Sequence, residues 1–215
     1  MTVKQTPSIL EPTIVFDRAL LLLVEGPDDQ AFAVQQIMRF SDGLEWHVHF
    51  MTGNSTDWVD FITLALDSDQ FDDVGRAIGI VLDADTSAAS VATKASSMLK
   101  RAGLSAPAKH GEIVGSGVKS GFFVMPDGTA TGALEELLIG SFDEGRLALA
   151  QSYIGDVADQ YEPPKNRVKG VVQAYFAGQR DHVKSIPVAV QKQTVIPREH
   201  EVFSSFQQFL KDLAA

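Results

Sequence analysis

Two acidic segments stand out because each directly follows an apolar run of the length of a buried strand. Glu25 follows the leucines at 20–23, and Asp83 and Asp85 follow the apolar run at 78–82. Ligands in an open α/β sheet collect outside the carboxyl ends of the strands, so we expect these carboxylates to meet there. Carboxylates at close range repel one another unless a cation or a proton lies between them. Because hard divalent cations take oxygen ligands, the pattern predicts a site for Mg²⁺ or Mn²⁺.

Alternating strands and helices must position these segments. Apolar runs predict strands at 19–24, 45–51, 76–82, 112–114 and 121–125. Amphipathic stretches predict helices at about 28–40, 55–66, 87–102, 134–138, 144–161, 163–176 and 199–213. Such an order implies a mostly parallel sheet with helices on both faces. The predicted class is therefore α/β, with a helical C-terminal extension.

The chain divides into three expected segments: a loose polar lead-in at 1–17, an α/β domain at 18–162, and a helical extension at 163–215 that packs on it as one structural domain. With 215 residues, 45% of them hydrophobic, the sequence is sufficient for one sizeable core. It contains no cysteine, which excludes disulfides, thiolate metal sites and cysteine nucleophiles. No signal peptide is visible and the first apolar run is too short to cross a bilayer, so we expect a cytoplasmic protein with no membrane partner.

Charge is unevenly distributed along the chain. The net charge is −10, which disfavours non-specific binding to nucleic acid. Residues 161–200 nevertheless hold seven Lys and Arg against three Asp and Glu. An acidic, metal-binding body with a more basic later segment is compatible with a phosphate-bearing substrate, although ordinary surface variation explains the same asymmetry.

The order strand–Glu–Gly–x–x–Asp, then strand–Asp–x–Asp, resembles the TOPRIM domain of topoisomerases, bacterial primases, recombination mediators and OLD-type nucleases. Glu25 and the Asp83–Asp85 pair match its two motifs. Asp29 matches the Asp after the Glu-Gly turn. Glu135 matches the Glu of a Gly-x-Leu-Glu segment that follows the Asp-x-Asp strand in OLD-like and related small TOPRIM families.

The resemblance covers roughly residues 18–178 and extends to a basic helix that includes Lys165 and Lys169. It implies one or two Mg²⁺ or Mn²⁺ ions, with Lys169 neutralising charge on a phosphate. Glu25 is either a metal ligand or a general acid or base, which is its proposed role in topoisomerase-type members. The implied ligands of the metal are Glu25, Asp29, Asp83, Asp85 and Glu135.

The implied function is a Mg²⁺-dependent phosphoesterase acting on nucleic acid, most simply a TOPRIM nuclease. The sequence contains no topoisomerase tyrosine domain, primase zinc module or ATPase region, so it is similar to a small stand-alone TOPRIM protein. Its expected partner is nucleic acid or another phosphate-bearing substrate. A non-catalytic binding or regulatory module in a DNA-processing or defence system, with a protein partner or a second copy of the chain, is the alternative.

Other readings of these residues remain open at this level. Asp28, Asp29 and Asp85 are each typical of helix N-caps. His47 and His49 share one strand face at a spacing that can bind a metal, but packing is the commoner reason for such a pair. The glycine-rich segment 115–121 lacks the Gly-Lys-Ser/Thr order of a phosphate-binding loop. The acids at 67–73 suggest a solvated loop, and the late phenylalanines either core packing or an oligomer face.

Overall fold

The computed structural model describes residues 3–6, 15–40, 43, 45–181 and 183–215. Within them the strands are β1 (Val3–Thr6), β2 (Leu20–Val24), β3 (Trp46–Phe50), β4 (Ala77–Asp83), β5 (Ile113–Val114) and β6 (Lys119–Met125). The helices are α1 (Pro27–Ile37), α2 (Ser55–Leu66), α3 (Asp69–Val74), α4 (Ala88–Arg101), α5 (Leu134–Ile139), α6 (Glu144–Gln160), α7 (Arg167–Ala177), α8 (Ile186–Gln191) and α9 (Ser204–Ala214). A turn of 3-10 helix at Glu201–Phe203 precedes α9.

These strands form one sheet in the order β1-β3-β2-β4-β6-β5. Every pairing is parallel except that of β5 with β6. Leu20 lies between Trp46 on one side and Ala77 on the other, which makes β2 and β4 direct neighbours. The predicted α/β class with a mostly parallel sheet is confirmed, and the two acidic segments follow adjacent strands.

Both faces of the sheet are covered because its central strands are apolar on both sides, as strands buried on both faces require. Leu20 and Leu22 of β2 face a core shared with α1 and α5–α9, whereas Leu21 and Leu23 face a core shared with α2–α4. The late phenylalanines are buried in the first of these cores, so the core-packing interpretation is confirmed for Phe203, Phe206 and Phe209.

Several elements differ from the sequence-based expectation. The lead-in contains β1, which pairs with β3, while the rest of residues 1–14 lies outside the described part of the chain. The helix expected from Pro163 begins at Arg167, after an Asn166 cap. The acids of the 67–73 segment are exposed as expected, but Asp69 to Asp73 belong to α3. Helix α8 carried too short an apolar pattern to be predicted.

Among the described residues, no helix combines the length and apolarity needed to cross a membrane.

Candidate carboxylate site at the strand ends

A cavity of about 270 Å³ opens at the carboxyl ends of β2 and β4. Five acidic side chains and one lysine line it, together with Gly26, Pro27 and Leu134. The charged residues are Glu25, Asp28, Asp29, Asp83, Glu135 and Lys169. The structure thus brings together five of the six predicted site residues, taken from four separate stretches of the chain.

The strands themselves supply Glu25 and Asp83. Glu25 directly follows β2 and is half-buried, and Asp83 is the last residue of β4. Within the described residues, the Oδ1 atom of Asp83 is buried and has no hydrogen-bond partner. A buried polar atom without a partner is costly, so its retention points to a group that the protein alone does not supply.

The first turn of α1 supplies Asp28 and Asp29. Gly26 is the N-cap of this helix and Pro27 its first residue, so neither aspartate is the cap, and the N-cap reading of both is wrong. A Cβ atom at Gly26 would lie 3.2 Å from Oδ2 of Asp29, which shows how closely the turn approaches that carboxylate. Asp29 is only 9% exposed. The two carboxylates therefore project into the cavity from the helix start, where the helix dipole favours negative charge.

Glu135 reaches the cavity because its loop is tied to the end of β4. The backbones of Asp85 and Gly132 exchange two hydrogen bonds of 2.8 Å each. Gly132 has φ +120°, and a Cβ atom there would lie 2.5 Å from the side chain of Glu136. The Glu136 carboxylate in turn accepts a 2.7 Å bond from the Ala133 amide and starts α5. This turn leaves Glu135 buried and facing the carboxylates of the strands.

Lys169 enters from α7 and contacts Glu135 directly. Its Nζ lies 3.3 Å from Oε1 of Glu135, whose side chain is 9% exposed. Asn166 caps α7 by accepting a 2.9 Å hydrogen bond from the Lys169 amide. Farther along the helix, Tyr175 stacks on Phe142 at 3.9 Å between ring centres. These contacts fix the helix that carries the lysine.

Asp85 does not line the cavity. Its side chain is exposed, and its φ of 49° places it in the left-handed region that non-glycine residues rarely adopt. Ser87, not Asp85, caps α4. The position of Asp85 therefore reflects the backbone pairing with Gly132, and its carboxylate acts on the site from the rim.

Burial and mutual repulsion raise the pKa values of Glu25, Asp28, Asp29 and Asp83. Burial is the larger cause and the neighbouring carboxylates add to it, so that the pKa of Asp29 rises to about 7 and that of Asp83 to about 8. The pKa of Glu25 is also raised by burial, against the opposing charge of Lys94. Glu135 raises the pKa of Lys169 and keeps it cationic. At neutral pH the cluster therefore holds protons that a cation would displace.

The donor set suits a hard cation that is only partly bound by protein. All the acidic ligands present oxygen, and one oxygen of Asp83 is buried without a partner. In the described part of the chain, no three His, Asp or Glu side chains are arranged to hold a metal by themselves. Mg²⁺ commonly binds through one or two carboxylates, with water and substrate phosphate completing its shell. Asp83, together with either Asp29 or Glu25, fits that kind of site.

Two charged residues near the site escaped sequence reasoning. Asp28 was read as a possible cap, but it lines the cavity beside Asp29. Lys94 lies on the exposed face of α4, and its charge is the largest influence opposing the raised pKa of Glu25. Side chains of a helix lean toward its N-terminus, here the end next to the acidic loop. The position of Lys94 in a helix that starts just after the acidic loop therefore indicates that its charge can act on the site.

Two other candidates from the sequence have structural explanations. His49 is 2% exposed and stacks on Phe61 with ring centres 4.4 Å apart, and His47 is 1% exposed on the same face. Both belong to the core, as the packing interpretation expected. The glycine-rich segment 115–121 leads into β6 rather than a helix, so it cannot present a helix N-terminus to a phosphate.

The chain belongs to the family described as protein of unknown function (DUF3226), which it matches over residues 19–215. No curated protein and no solved structure matches the sequence.

Proposed function

We propose that this member of the DUF3226 family is a divalent-cation-dependent phosphoesterase that acts on nucleic acid, a nuclease of the TOPRIM type. The observation that carries the proposal is the meeting of Glu25 and Asp83 at adjacent parallel strand ends, with one Asp83 oxygen buried and unpartnered. Asp29 and Glu135, which the TOPRIM resemblance assigns to a metal site, line the same cavity and support the proposal.

The cation is Mg²⁺ or Mn²⁺, and Asp83 and Asp29 are the residues that would hold it, with Glu25 beside them. A bound divalent cation polarises a phosphodiester and makes a nearby water more acidic. The cavity, about 270 Å³, is large enough to admit a phosphate group with its ester oxygens.

Glu25 has the properties of a proton carrier. It is half-buried in the lining of the cavity, and burial raises its pKa, which makes the carboxyl group a better proton acceptor than an exposed glutamate. In this role Glu25 takes a proton from the attacking water or returns one to the leaving oxygen. Lys169 also lines the cavity, with more than half of its side chain exposed, and it can neutralise charge that develops on the phosphate.

The test is cleavage of single- and double-stranded DNA and RNA in Mg²⁺ or Mn²⁺ by wild type and by Glu25→Gln. We expect metal-dependent cleavage that falls roughly 100-fold or more in the variant, the scale of a lost acid–base group. Glu162→Gln, an exposed residue outside the cavity, is the matched control and should retain full activity. Cleavage of no substrate, or equal activity in Glu25→Gln, would contradict the proposal.

A non-catalytic binding module is the second candidate, and one observation favours it: the described residues contain no ready-made three-ligand metal group. In that case the carboxylate cavity would serve recognition of a partner. A partner recovered by pull-down that binds Asp83→Asn as tightly as wild type, without any metal-dependent cleavage, would favour this candidate over the nuclease.

A further inference from the structure

We infer that the cavity binds one divalent cation and that the Lys169 ammonium group takes the place of a second one beside Glu135. The inference rests on the proposed function, since it specifies the metal content of the same site. Of the one or two ions that the TOPRIM resemblance implied, it selects one, and it removes Glu135 from the implied metal ligands.

The contact between Lys169 and Glu135 is the first support. The two charged atoms lie 3.3 Å apart, and the Glu135 side chain is 9% exposed. A carboxylate buried to this degree needs a positive partner, because an unpaired buried charge is strongly unfavourable. Lys169 supplies that partner without any metal, so Glu135 does not depend on a second cation for its charge to be balanced.

The lysine is also built into the fold, which distinguishes it from a casual surface ion pair. Its amide is bound by the Asn166 cap, so Lys169 lies in the first turn of α7, and its side chain leans toward the helix start. Phe142 follows α5 closely along the chain, and its stacking on Tyr175 holds α7 beside α5, which carries Glu135. A second cation at Glu135 would have to displace the ammonium group that lies 3.3 Å from its carboxylate.

The carboxylates of the cavity fall into two groups according to the elements that carry them. Glu25 and Asp83 come from neighbouring strand ends, with Asp29 beside them in the first turn of α1, and the unpartnered oxygen belongs to this group. Glu135 belongs to α5 and is engaged by Lys169. One group is therefore left for a divalent cation, and the other is already neutralised.

The experiment is a measurement of Mn²⁺ stoichiometry by titration calorimetry and by electron paramagnetic resonance of free Mn²⁺, without substrate. We expect one ion per chain in wild type, and two in Lys169→Met, which frees Glu135. The double variant Lys169→Met/Glu135→Gln should return to one ion. Lys165→Met, an exposed lysine near the start of α7 that does not line the cavity, is the matched control and should bind one ion.

Two ions in wild type, or one ion in Lys169→Met, would overturn the inference while leaving the proposed function in place, provided that Asp83→Asn abolishes binding. If neither wild type nor Lys169→Met binds Mn²⁺ at millimolar concentration, the inference is overturned together with the proposed metal dependence. Circular dichroism of each variant verifies that the differences in stoichiometry come from folded protein.

Discussion

At the residue scale, the carboxylates of the cavity impose a cost on folding that a bound cation would offset. Asp83 and Asp29 are buried beside one another and beside Glu25, and their raised pKa values record that cost. Functional sites commonly carry such unfavourable charge, and substitutions there often stabilise a protein while removing its activity. Asp83 is the clearest place to measure this.

We expect Asp83→Asn to be more stable than wild type at alkaline pH. Folding raises the pKa of Asp83 from its ordinary value of 3.8 to about 8, so the folded state holds a proton that the unfolded state releases. The free energy of unfolding of wild type therefore falls as the pH rises from about 4 toward 8, because the folded protein must give up this proton. The variant has no carboxyl group at this position and does not lose stability in this way. The difference in unfolding free energy should reach on the order of 2 kcal/mol at pH 8.5, allowing for coupling to Asp29.

Urea unfolding at pH 5 and pH 8.5 measures this difference, and Asp60→Asn, an exposed acid on α2, is the control. If the stability of wild type and of Asp83→Asn depended on pH in the same way, the pKa of Asp83 would not be raised by folding. Added Mg²⁺ should stabilise wild type but not Asp83→Asn.

His49 should make the protein sensitive to acid through a different mechanism. Burial lowers its pKa from 6.5 to about 4, so the folded state excludes a proton that the unfolded state binds below pH 6.5. Stability is therefore lost as the pH falls from 6.5 toward 4, by on the order of 1–3 kcal/mol for this one group. His49→Phe, which keeps the ring stack on Phe61, should reduce this loss.

Thermal unfolding at pH 7 and pH 5 measures the effect as the difference between variant and wild type. Taking this difference separates the contribution of His49 from that of the site carboxylates. Both proteins contain those carboxylates, and their effect on stability has the opposite sign. His200→Asn changes a histidine outside the β3 stack and should follow wild type. A His49→Phe protein that lost as much stability in acid as wild type would contradict the assignment.

At the scale of elements, the loop before α5 decides whether Glu135 reaches the strand ends. It depends on Gly132, whose φ of +120° and closeness to Glu136 leave no room for a side chain. The backbone pairing of Gly132 with Asp85 connects this loop to β4. The loop therefore couples two motifs that are about 50 residues apart in the chain.

Gly132→Ala should displace Glu135 and destabilise the protein by about 1–3 kcal/mol, because alanine is strained at this φ and its Cβ would overlap Glu136. The measurement is chemical denaturation, together with Mn²⁺ affinity. Gly117→Ala is a matched control, since no heavy atom lies within 4 Å of the added Cβ and its φ is not in the left-handed range. Equal stability of the two variants would show that the loop tolerates a side chain.

Helix α9 provides a second test at the element scale. Phe206 is fully buried and packs on Phe32 of α1 and Phe123 of β6. Phe206→Ala should cost about 3–5 kcal/mol, since it removes a ring from the centre of the core. Ser205→Ala, exposed on the same helix, should stay within about 0.5 kcal/mol of wild type in urea unfolding. Similar stability of both variants would place α9 outside the cooperative core.

At the scale of the whole molecule, the C-terminal helices are part of the core that supports the site. Gln35 of α1 donates hydrogen bonds to the carbonyls of Val190 and Ile196 at 2.7 and 3.1 Å. Gln207 of α9 donates a 2.6 Å bond to Gln36, also on α1. The helix whose first turn carries Asp28 and Asp29 is thus held from behind by the end of the chain, and the family match includes that end.

A chain ending at residue 200 should not unfold cooperatively. The removed segment contains five nearly fully buried apolar side chains, and each contributes about 1.5–3 kcal/mol: Phe203, Phe206, Phe209, Leu210 and Leu213. Their sum equals or exceeds the whole stability of an ordinary domain. Calorimetry of the truncated chain should show no unfolding peak, and a cooperative transition would show that residues 1–200 fold by themselves.

The sequence by itself determined the sheet and the two acidic strand ends. Continuous apolar runs such as 20–24 and 78–82 have few uses other than strands buried on both faces, and the residue that follows such a run must lie at the edge of the sheet. Local chemistry thus predicted Glu25 and Asp83. Short elements such as β1 and α8 carried too little periodicity to be predicted.

Only the tertiary structure decided which acids face one another. Asp28 and Asp85 have the same sequence character, but the helix turn directs the first into the cavity and the pairing with Gly132 leaves the second exposed. The contact of Lys169 with Glu135 joins two residues more than 30 positions apart in the chain, and no local pattern sets the packing of their helices. Where a strand ends is set by the residues next to it in the chain, and the sequence shows this directly. Which way a side chain points, and which others it reaches, depends on packing across the whole core.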